Sequence, residues 1–348
     1  MTETQPPFAA PGRGPGPGGP GPGLQLTLAR SIAPSDTDTS IVIAAPTGPQ
    51  IETGTVAVTA HDDLAYATRT GVDGREAPLR LDLLVPETPG DKPLVVYLPG
   101  GGFVMANKGM ALERRTYLAE AGYAVASIEY RTVPDGATYP DAVADAKSAI
   151  RYLRAHAAQY GIDAGRVAVW GESAGGYLAA MVGATNGLAP FTTRDNGGFS
   201  SDVQAVVDLF GASDLLKLAA DFDPVAQQAH LRPGTPIAAF VLGAATEVSL
   251  ADNPVAVAAA DPTTYITAAT PPFLLFHGSA DPLISPSQTL LLHTALLEHN
   301  IESTRYVLTG AGHGDLAAML GDPEAALPWS TAELLGYITD FLDKYLGT

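Results

Sequence analysis

The stretch VAVWGESAGGYLAA, from Val167 to Ala180, decides the fold. It joins an apolar, β-branched run to a Gly-x-Ser-x-Gly turn and then to an alanine-rich helical pattern. Ser173 therefore stands at a strand-to-helix turn, where a strained backbone holds a hydroxyl out into a cleft. Gly171 and Gly175 are needed because side chains there would collide with the neighbouring strand and helix as the chain doubles back. The pattern predicts a nucleophilic serine on an α/β scaffold.

Continuous apolar runs separated by helical patterns extend this plan along most of the chain. Such runs are typical of parallel strands buried on both faces, and residues 141–161 form an amphipathic helical pattern that would cover them. Alternating apolar and polar residues at 24–33, 55–60 and 78–86 predict half-exposed antiparallel strands near the N-terminus. The fold class is therefore α/β, with a mostly parallel central sheet and helices on both faces. The predicted buried strands are 94–99, 123–130, 166–170, 203–210, 272–278 and 303–309.

Composition divides the 348 residues into a short tail and one large domain. Nearly every position from Pro6 to Gly23 is proline or glycine, which buries no apolar area, so residues 1–23 are predicted to be a disordered tail. With 46% hydrophobic residues overall, 24–348 is long enough for a single catalytic domain with a large core. The long connection 211–270, rich in Ala, Asp and Pro, predicts a small cap or lid over the carboxyl ends of the strands.

Net charge and cysteine content exclude several classes of protein. The formal charge of −18 argues against a nucleic-acid partner or an anionic membrane surface, since both favour an excess of Lys and Arg. The absence of cysteine excludes disulfides, thiolate nucleophiles and cysteine-bound metals. The sequence shows no apolar run of membrane-spanning length and no secretion leader, so we expect a cytoplasmic protein. No metal or organic cofactor is predicted, and a homo-oligomer is left open.

A serine hydroxyl is a weak nucleophile that needs a base, and the base needs an acid to orient it. Asp281 follows a buried strand in HGSADPL, and His313 lies in the glycine-flanked loop GAGHGD after the next strand. Ser173, Asp281 and His313 are therefore the predicted nucleophile, acid and base. The other candidates are assigned to the surface, packing, structural hydrogen bonds, loop capping or solvent: His156, His277, His293, His299 and Asp315. Asp261 and Asp322 lack a comparable setting.

Three consecutive glycines, Gly100 to Gly102, follow a predicted strand in VVYLPGGGFVMANK. Their backbone N–H groups can turn inward and, with the N–H of Ala174, bind the oxyanion of a tetrahedral intermediate. A tight turn and a phosphate-binding loop are the alternatives. A phosphate loop needs Lys and Ser or Thr in a defined spacing, which Lys108 does not supply. The glycines thus predict an oxyanion hole.

From about Pro78 to the C-terminus the chain resembles the α/β-hydrolases, specifically the carboxylesterases similar to hormone-sensitive lipase and to feruloyl esterases. Six motifs occur in the family's order: PGGGF, EYRTVPDGATYPDAVADAKSAIRYLR, GESAGG, VVDLFGASDL, HGSADPLI and GAGHGD. The resemblance implies an α/β-hydrolase fold in which Ser173 is the nucleophile, His313 the base and Asp281 the orienting acid. It also implies oxyanion donors at Gly101, Gly102 and Ala174. The fourth motif favours the feruloyl-esterase-like branch.

One position departs from the family pattern. Pro99 stands where the family's glycine loop usually begins with a histidine. Because proline has neither an N–H nor a side-chain donor, we expect its fixed φ to hold the loop instead.

The resemblance implies hydrolysis of a small or medium carboxylic ester through an acyl-enzyme intermediate. Amide or formamide hydrolysis, lactone opening and acyl transfer would use the same residues and stay open as alternatives. A non-catalytic ligand-binding protein is a further alternative, although such relatives typically lack a triad member. The predicted partner is a small-molecule ester. Apolar side chains beside the catalytic motifs are the predicted substrate contacts: Phe103, Val104, Met105, Tyr177, Leu283 and Ile284.

Overall fold

A central β-sheet organises the protein, which a computed structural model describes over residues 27–189, 191–243 and 247–347. The strands are β1 (Ile41–Ala44), β2 (Val58–Thr70), β3 (Glu76–Pro86), β4 (Lys92–Leu98), β5 (Ala124–Ile128), β6 (Ile162–Glu172), β7 (Ala205–Leu209), β8 (Phe273–Gly278) and β9 (Ser303–Thr309). Within the described ranges these strands form one sheet in the order β1-β9-β8-β7-β6-β4-β5-β3-β2. All neighbours pair in parallel except β3, which is antiparallel to both β2 and β5. The mostly parallel α/β sheet is confirmed.

Helices connect most of the strands. The α-helices are α1 (Leu112–Glu120), α2 (Tyr139–Ala155), α3 (Ala157–Tyr160), α4 (Ala174–Ala184), α5 (Pro224–His230), α6 (Pro236–Leu242), α7 (Pro254–Ala259), α8 (Ser287–Glu298), α9 (Leu316–Met319), α10 (Pro323–Ala326) and α11 (Ala332–Leu346). Short 3-10 helices occur at Val133–Asp135, Leu215–Lys217, Leu250–Asp252, Pro262–Tyr265 and Leu327–Ser330. Local sequence sets several helix starts: Thr138 and Asp141 form a capping box at the start of α2.

Both faces of the sheet are buried, which explains the continuous apolar runs. In β4, Val96 belongs to the core that contains side chains of α2, α4 and α8, whereas Val95 and Tyr97 belong to the core that contains side chains of α1 and α11. A strand with one face in water would alternate apolar and polar residues instead. The six predicted buried strands correspond to β4 to β9.

The N-terminal part of the chain differs from its predicted pattern. The 78–86 strand is present within β3, and 55–60 overlaps the start of β2. In the predicted strand 24–33, however, the described residues 27–33 contain a single β-bridge, in which Ile32 pairs with Phe222. β1, a short edge strand parallel to β9, was not predicted from the sequence. Both differences arise from long-range pairing, which local alternation does not report.

The sheet topology places two loops side by side. β4 and β6 are neighbours although β5 separates them in the chain, because β5 pairs on the other side of β4. The strand order therefore reverses between β4 and β6, and crevices at the carboxyl ends of such strands are the usual ligand sites of open α/β sheets. The glycine loop follows β4 and Ser173 follows β6, so the fold brings both to this crevice.

Two segments lie outside the sheet. The predicted tail, residues 1–23, lies outside the described residues. The connection 211–270, of which 244–246 are likewise outside them, contains α5, α6 and α7 and three of the 3-10 helices. Because part of it lines the cleft in front of Ser173, we propose that it forms the small cap. In the parts of the chain that the structure describes, no helix has both the length and the apolar character needed to cross a membrane.

Candidate active site

Ser173 lies directly after β6, in the turn that leads into α4. Its backbone has φ 56° and ψ −121°, a positive φ that residues other than glycine rarely adopt. A Cβ on Gly171 would lie 2.0 Å from the carbonyl oxygen of Gly175, and one on Gly175 would lie 1.9 Å from that of Leu98. The N–H of Ser173 donates to the carbonyl oxygen of Leu209 at 2.9 Å, which ties the strained turn to β7. Close packing thus requires the glycines of the motif.

The three predicted triad residues meet in one hydrogen-bonded chain. His313 Nε2 lies 2.9 Å from Ser173 Oγ, and His313 Nδ1 lies 2.6 Å from Asp281 Oδ2. A carboxylate only accepts hydrogen bonds, so Nδ1 carries the proton and Nε2 presents a lone pair to the serine hydroxyl. This arrangement can accept the proton of Ser173 as its oxygen attacks a carbonyl carbon.

Donors hold both oxygens of the Asp281 carboxylate. Oδ1 accepts hydrogen bonds from the backbone N–H groups of Leu283 at 2.9 Å and Ile284 at 3.0 Å. Burial would raise the pKa of Asp281, but interactions with His313 and His277 outweigh burial and hold that pKa well below its usual range. The carboxylate is therefore ionised at neutral pH and can orient His313.

Phe210, which the sequence analysis did not single out, packs against His313. The centroids of the two rings are 4.7 Å apart, and the ring of Phe210 lies 4.6 Å from that of Trp329. Trp329 donates from Nε1 to the carbonyl oxygen of Gly312 at 3.1 Å, beside His313 in the chain. Phe210 has φ 46°, and its N–H donates to the carbonyl oxygen of Phe276 at 2.7 Å. The two aromatic residues confine the loop that carries His313. In the sequence, the position of Phe210 within the VVDLFGASDL motif was the signal that could have identified it.

Behind the serine lies an ion cluster of the buried Arg114 and Glu172 with the more exposed Asp315, which we call the Arg114 clamp. Arg114, on α1, bonds both oxygens of Glu172 at 3.0 and 3.1 Å and both oxygens of Asp315 at 2.9 and 3.0 Å. Burial raises the pKa of Glu172 although Arg114 opposes this shift. Glu172 precedes Ser173 and Asp315 follows His313 by two residues, so the clamp joins the turn to the histidine loop. Asp315, predicted to cap a loop or be solvated, is an ion-pair partner whose side chain is still 57% exposed.

The glycine loop brings backbone N–H groups beside the serine. Gly102 and Ala174 line the cleft with Ser173, and within the described residues neither N–H has a backbone partner. Gly101 does not line the cleft. It has φ 150°, and a Cβ there would lie 2.3 Å from the carbonyl oxygen of Met105, so only glycine fits. Gly102 and Ala174 are therefore the best-placed of the three predicted oxyanion donors, and Gly101 shapes the turn.

A cleft with a cavity volume of about 130 Å³ opens in front of Ser173. Three of the predicted substrate contacts, Phe103, Leu283 and Ile284, line it, and residues 218–237 supply most of the opposite wall. The lining is mainly apolar. Among the described residues, no group of three His, Asp or Glu side chains is arranged to hold a metal ion.

The remaining predicted contacts do not line the cleft. Tyr177 is fully buried, its hydroxyl donates to the carbonyl oxygen of Ala260 at 2.7 Å, and its ring lies 5.5 Å from that of Phe103. Tyr177 thus supports a wall residue from behind. Val104 is half-buried outside the cleft, and Met105 is exposed.

Comparison with known proteins identifies relatives of the chain. The BD-FAE family model matches residues 81–296. The probable carboxylic ester hydrolase LipM of Mycobacterium tuberculosis is 31% identical over 239 residues, which are 66% of this chain and 50% of that protein. A probable isoprenylcysteine alpha-carbonyl methylesterase of Arabidopsis thaliana is 31% identical over 261 residues, 74% of this chain and 52% of the other. The chain thus spans about half the length of these curated relatives.

A similar solved structure supports the fold. The truncated form of a carbohydrate esterase from gut microbiota superposes with a TM-score of 0.70 at 23% identity, covering 86% of this chain and 100% of the other. Because the sequence identity is only 23%, this structure supports the fold of the chain and nothing about its activity. The family match extends from β3 to α8 and includes the strand-turn-helix that carries Ser173. The chain therefore belongs to the BD-FAE family and has the α/β-hydrolase fold.

Proposed function

We propose that the protein hydrolyses small or medium carboxylic esters through an acyl-enzyme formed on Ser173. The observation that carries this proposal is the hydrogen-bonded chain from Ser173 Oγ through His313 to Asp281, with its 2.9 Å and 2.6 Å contacts. A serine in a strained turn, paired with an oriented imidazole, is the arrangement that acyl transfer requires.

In the proposed reaction, Ser173 Oγ attacks the carbonyl carbon while His313 Nε2 takes its proton. The ionised Asp281 stabilises the imidazolium, and the N–H groups of Gly102 and Ala174 bind the oxyanion. Collapse of the tetrahedral intermediate breaks the bond to the alcohol oxygen, which leaves with the proton from His313. Water, activated by the same imidazole, then attacks the acyl-enzyme and releases the acid.

The cleft and the relatives favour an ester over an amide. The mainly apolar lining and the small cavity fit an uncharged acyl or alcohol group of limited size. The names of the two curated relatives describe an ester hydrolase and a methylesterase. Amide hydrolysis, lactone opening and acyl transfer would use the same residues, and they remain alternative outcomes of the test.

A panel of chromogenic esters of rising acyl length, measured for kcat and KM with a pre-steady-state burst, tests the proposal. Ser173→Ala should lower kcat at least about 10³-fold, as loss of a triad nucleophile does elsewhere, while the circular dichroism spectrum stays unchanged. Ser200→Ala, at an exposed serine, is the matched control and should keep the activity. Near-normal turnover by Ser173→Ala, or a wild-type enzyme inactive on every ester but active on amides, would contradict the proposal.

A further inference from the structure

His277, near the end of β8, is fully buried behind Asp281. Its Nε2 lies 3.0 Å from the carbonyl oxygen of Ile284 and 3.4 Å from Asp281 Oδ2. Its Nδ1 lies 3.1 Å from Thr289 Oγ1 on α8. Because a carbonyl and a carboxylate both accept hydrogen bonds, Nε2 must carry a proton to avoid facing two oxygen lone pairs.

Arg305 determines what the other nitrogen of His277 does. Arg305, fully buried on β9, donates from Nε to Thr289 Oγ1 at 3.0 Å, and a guanidinium can only donate. The Thr289 hydroxyl therefore accepts from Arg305 and keeps its own proton to donate. The other acceptor within reach is the carbonyl oxygen of Pro286, which is farther away at 3.4 Å and already accepts from Arg305 Nη2 at 2.7 Å. The hydroxyl proton consequently points to His277 Nδ1.

We propose that His277 is a positioning residue of the catalytic acid, held as the Nε2–H tautomer by Arg305 through Thr289. Its Nε2–H donates to the carbonyl oxygen of Ile284 at 3.0 Å and lies 3.4 Å from Oδ2 of Asp281, the oxygen that also accepts the Nδ1–H of His313. This inference rests on the proposed function, in which Asp281 orients the base. The relay of Arg305, Thr289 and His277 thus connects Asp281 to α8 and β9.

The relay fixes the direction of the carboxylate. Backbone N–H groups hold Oδ1, and the imidazoles of His277 and His313 contact Oδ2. A carboxylate with donors on both oxygens cannot rotate without breaking one of these contacts. Loss of the His277 imidazole removes the donor to the Ile284 carbonyl and one of the two imidazoles beside Oδ2, so the carboxylate is oriented less firmly toward His313, which affects the chemical step more than substrate binding.

The tautomer can be measured without any substrate. In protein labelled with ¹⁵N-histidine, nuclear magnetic resonance at neutral pH should show His277 with a protonated Nε2 and an unprotonated Nδ1. His277→Gln identifies the resonances by their disappearance. A doubly protonated ring, or a proton on Nδ1 alone, overturns the relay. This result is independent of esterase activity, so it stands or fails separately from the proposed function.

Substitutions at Thr289 test whether the relay acts on catalysis. Thr289→Val keeps the shape but removes the hydroxyl, and it should lower kcat roughly 5- to 30-fold with KM within about twofold, as expected for one misplaced buried hydrogen bond. Thr289→Ser restores the hydroxyl and should recover most of kcat. Thr294→Val, the same change at an exposed position of α8, is the matched control.

Substitution of His277 itself separates the donor from the packing. His277→Leu should lower kcat at least as much as Thr289→Val does. His277→Gln retains an N–H donor and should therefore show a smaller decrease in kcat than His277→Leu. If His277→Leu does not fold, the Thr289 pair still decides the question. Equal kcat in Thr289→Val and Thr289→Ser, or a folded His277→Leu within twofold of wild type, overturns the proposal.

Discussion

The hydroxyl of Tyr130 donates a hydrogen bond to the carbonyl oxygen of Pro99 at 2.7 Å, in a fully enclosed position. Pro99 immediately precedes the glycine loop at the end of β4. Tyr130 follows β5, the strand that pairs with β4. Burial raises the pKa of Tyr130, so its hydroxyl stays protonated and remains a donor. A tyrosine therefore holds the residue that precedes the glycine loop, and we propose that the fixed φ of proline adds to this bracing.

We expect Tyr130→Phe to reduce kcat roughly 5- to 30-fold with little change in KM, because the loop's N–H groups act mainly on charge that develops in the transition state. Steady-state kinetics on a short-chain ester measure this. Tyr177→Phe removes a similar buried hydroxyl bond, to Ala260, and keeps the ring that packs on Phe103, so it controls for lost stability. Equal kinetics in the two variants would show that the tyrosine does not brace the loop.

Pro99→Gly tests the contribution of the proline ring. The fixed φ limits the first loop residue, so glycine should loosen the loop and lower kcat by roughly 10- to 10³-fold, more than KM rises. The melting temperature should change little. An unchanged kcat would mean that Tyr130 and the flanking strands hold the glycines without help from proline.

The Arg114 clamp predicts that a partly exposed carboxylate outside the cleft affects catalysis. Asp315→Asn removes one arm of the clamp and should lower kcat roughly 2- to 10-fold, since the histidine loop loses its tie to the serine turn. The effect is modest because the side chain of Asp315 is 57% exposed and solvent screens the pair.

Glu324→Gln provides the matched control for the clamp. It removes the same charge from an exposed position nine residues further on, and it should leave kcat unchanged. Similar losses in Asp315→Asn and Glu324→Gln would assign the effect to net charge and contradict the clamp.

The wall formed by 218–237 predicts how chain-length selectivity can be changed. Ala229 lines the cleft, so Ala229→Phe should fill it and lower kcat/KM for longer acyl chains about tenfold or more relative to acetyl esters. An ester series compared with wild type measures the shift. Ala220→Phe, at an exposed position of the same segment, should not alter the selectivity. A uniform loss for all chain lengths in Ala229→Phe would mean that this wall does not contact the acyl group.

Asp208 is fully buried on β7, and we expect it to make the free energy of unfolding depend on pH. Burial raises its pKa from 3.8 to about 7 although the N–H of Gly211 opposes this, and within the described residues its Oδ2 has no hydrogen-bond partner. A carboxyl group whose pKa is higher in the folded than in the unfolded state stabilises the folded protein at pH values below its unfolded-state pKa. For Asp208 this contribution is lost as the pH rises toward 7. Asp208→Asn keeps the Gly211 acceptor without the charge, so its advantage in stability should grow from pH 4 to 8, by on the order of 3 kcal/mol.

Thermal or urea unfolding of both proteins across that pH range checks this expectation. Asp82→Asn, at a half-buried carboxylate that pairs with Lys108 at 2.6 Å, serves as a comparison because that carboxylate has an ion-pair partner. A stability difference between Asp208→Asn and wild type that does not vary with pH would contradict the prediction.

Local sequence patterns were sufficient for the parts of this protein that depend on neighbouring residues. The buried strands, the strand-turn-helix around Ser173 and the loops of Asp281 and His313 all follow from runs, glycines and spacing within about ten residues. Strand burial on both faces requires continuous apolar runs, and the tight turn requires small residues, so each feature leaves a signature in the chain.

Tertiary structure alone decided which distant groups meet. Arg114 reaches Glu172 and Asp315 across 58 and 201 positions of the chain, and Thr289 contacts both Arg305 and His277. Such contacts depend on strand order and helix docking, which no local pattern encodes, since an arginine on a helix has the same sequence signature whether it faces water or a buried carboxylate. The proximity of Ser173, His313 and Asp281 could be predicted from the sequence because their loops carry motifs, whereas the groups that surround them carry none.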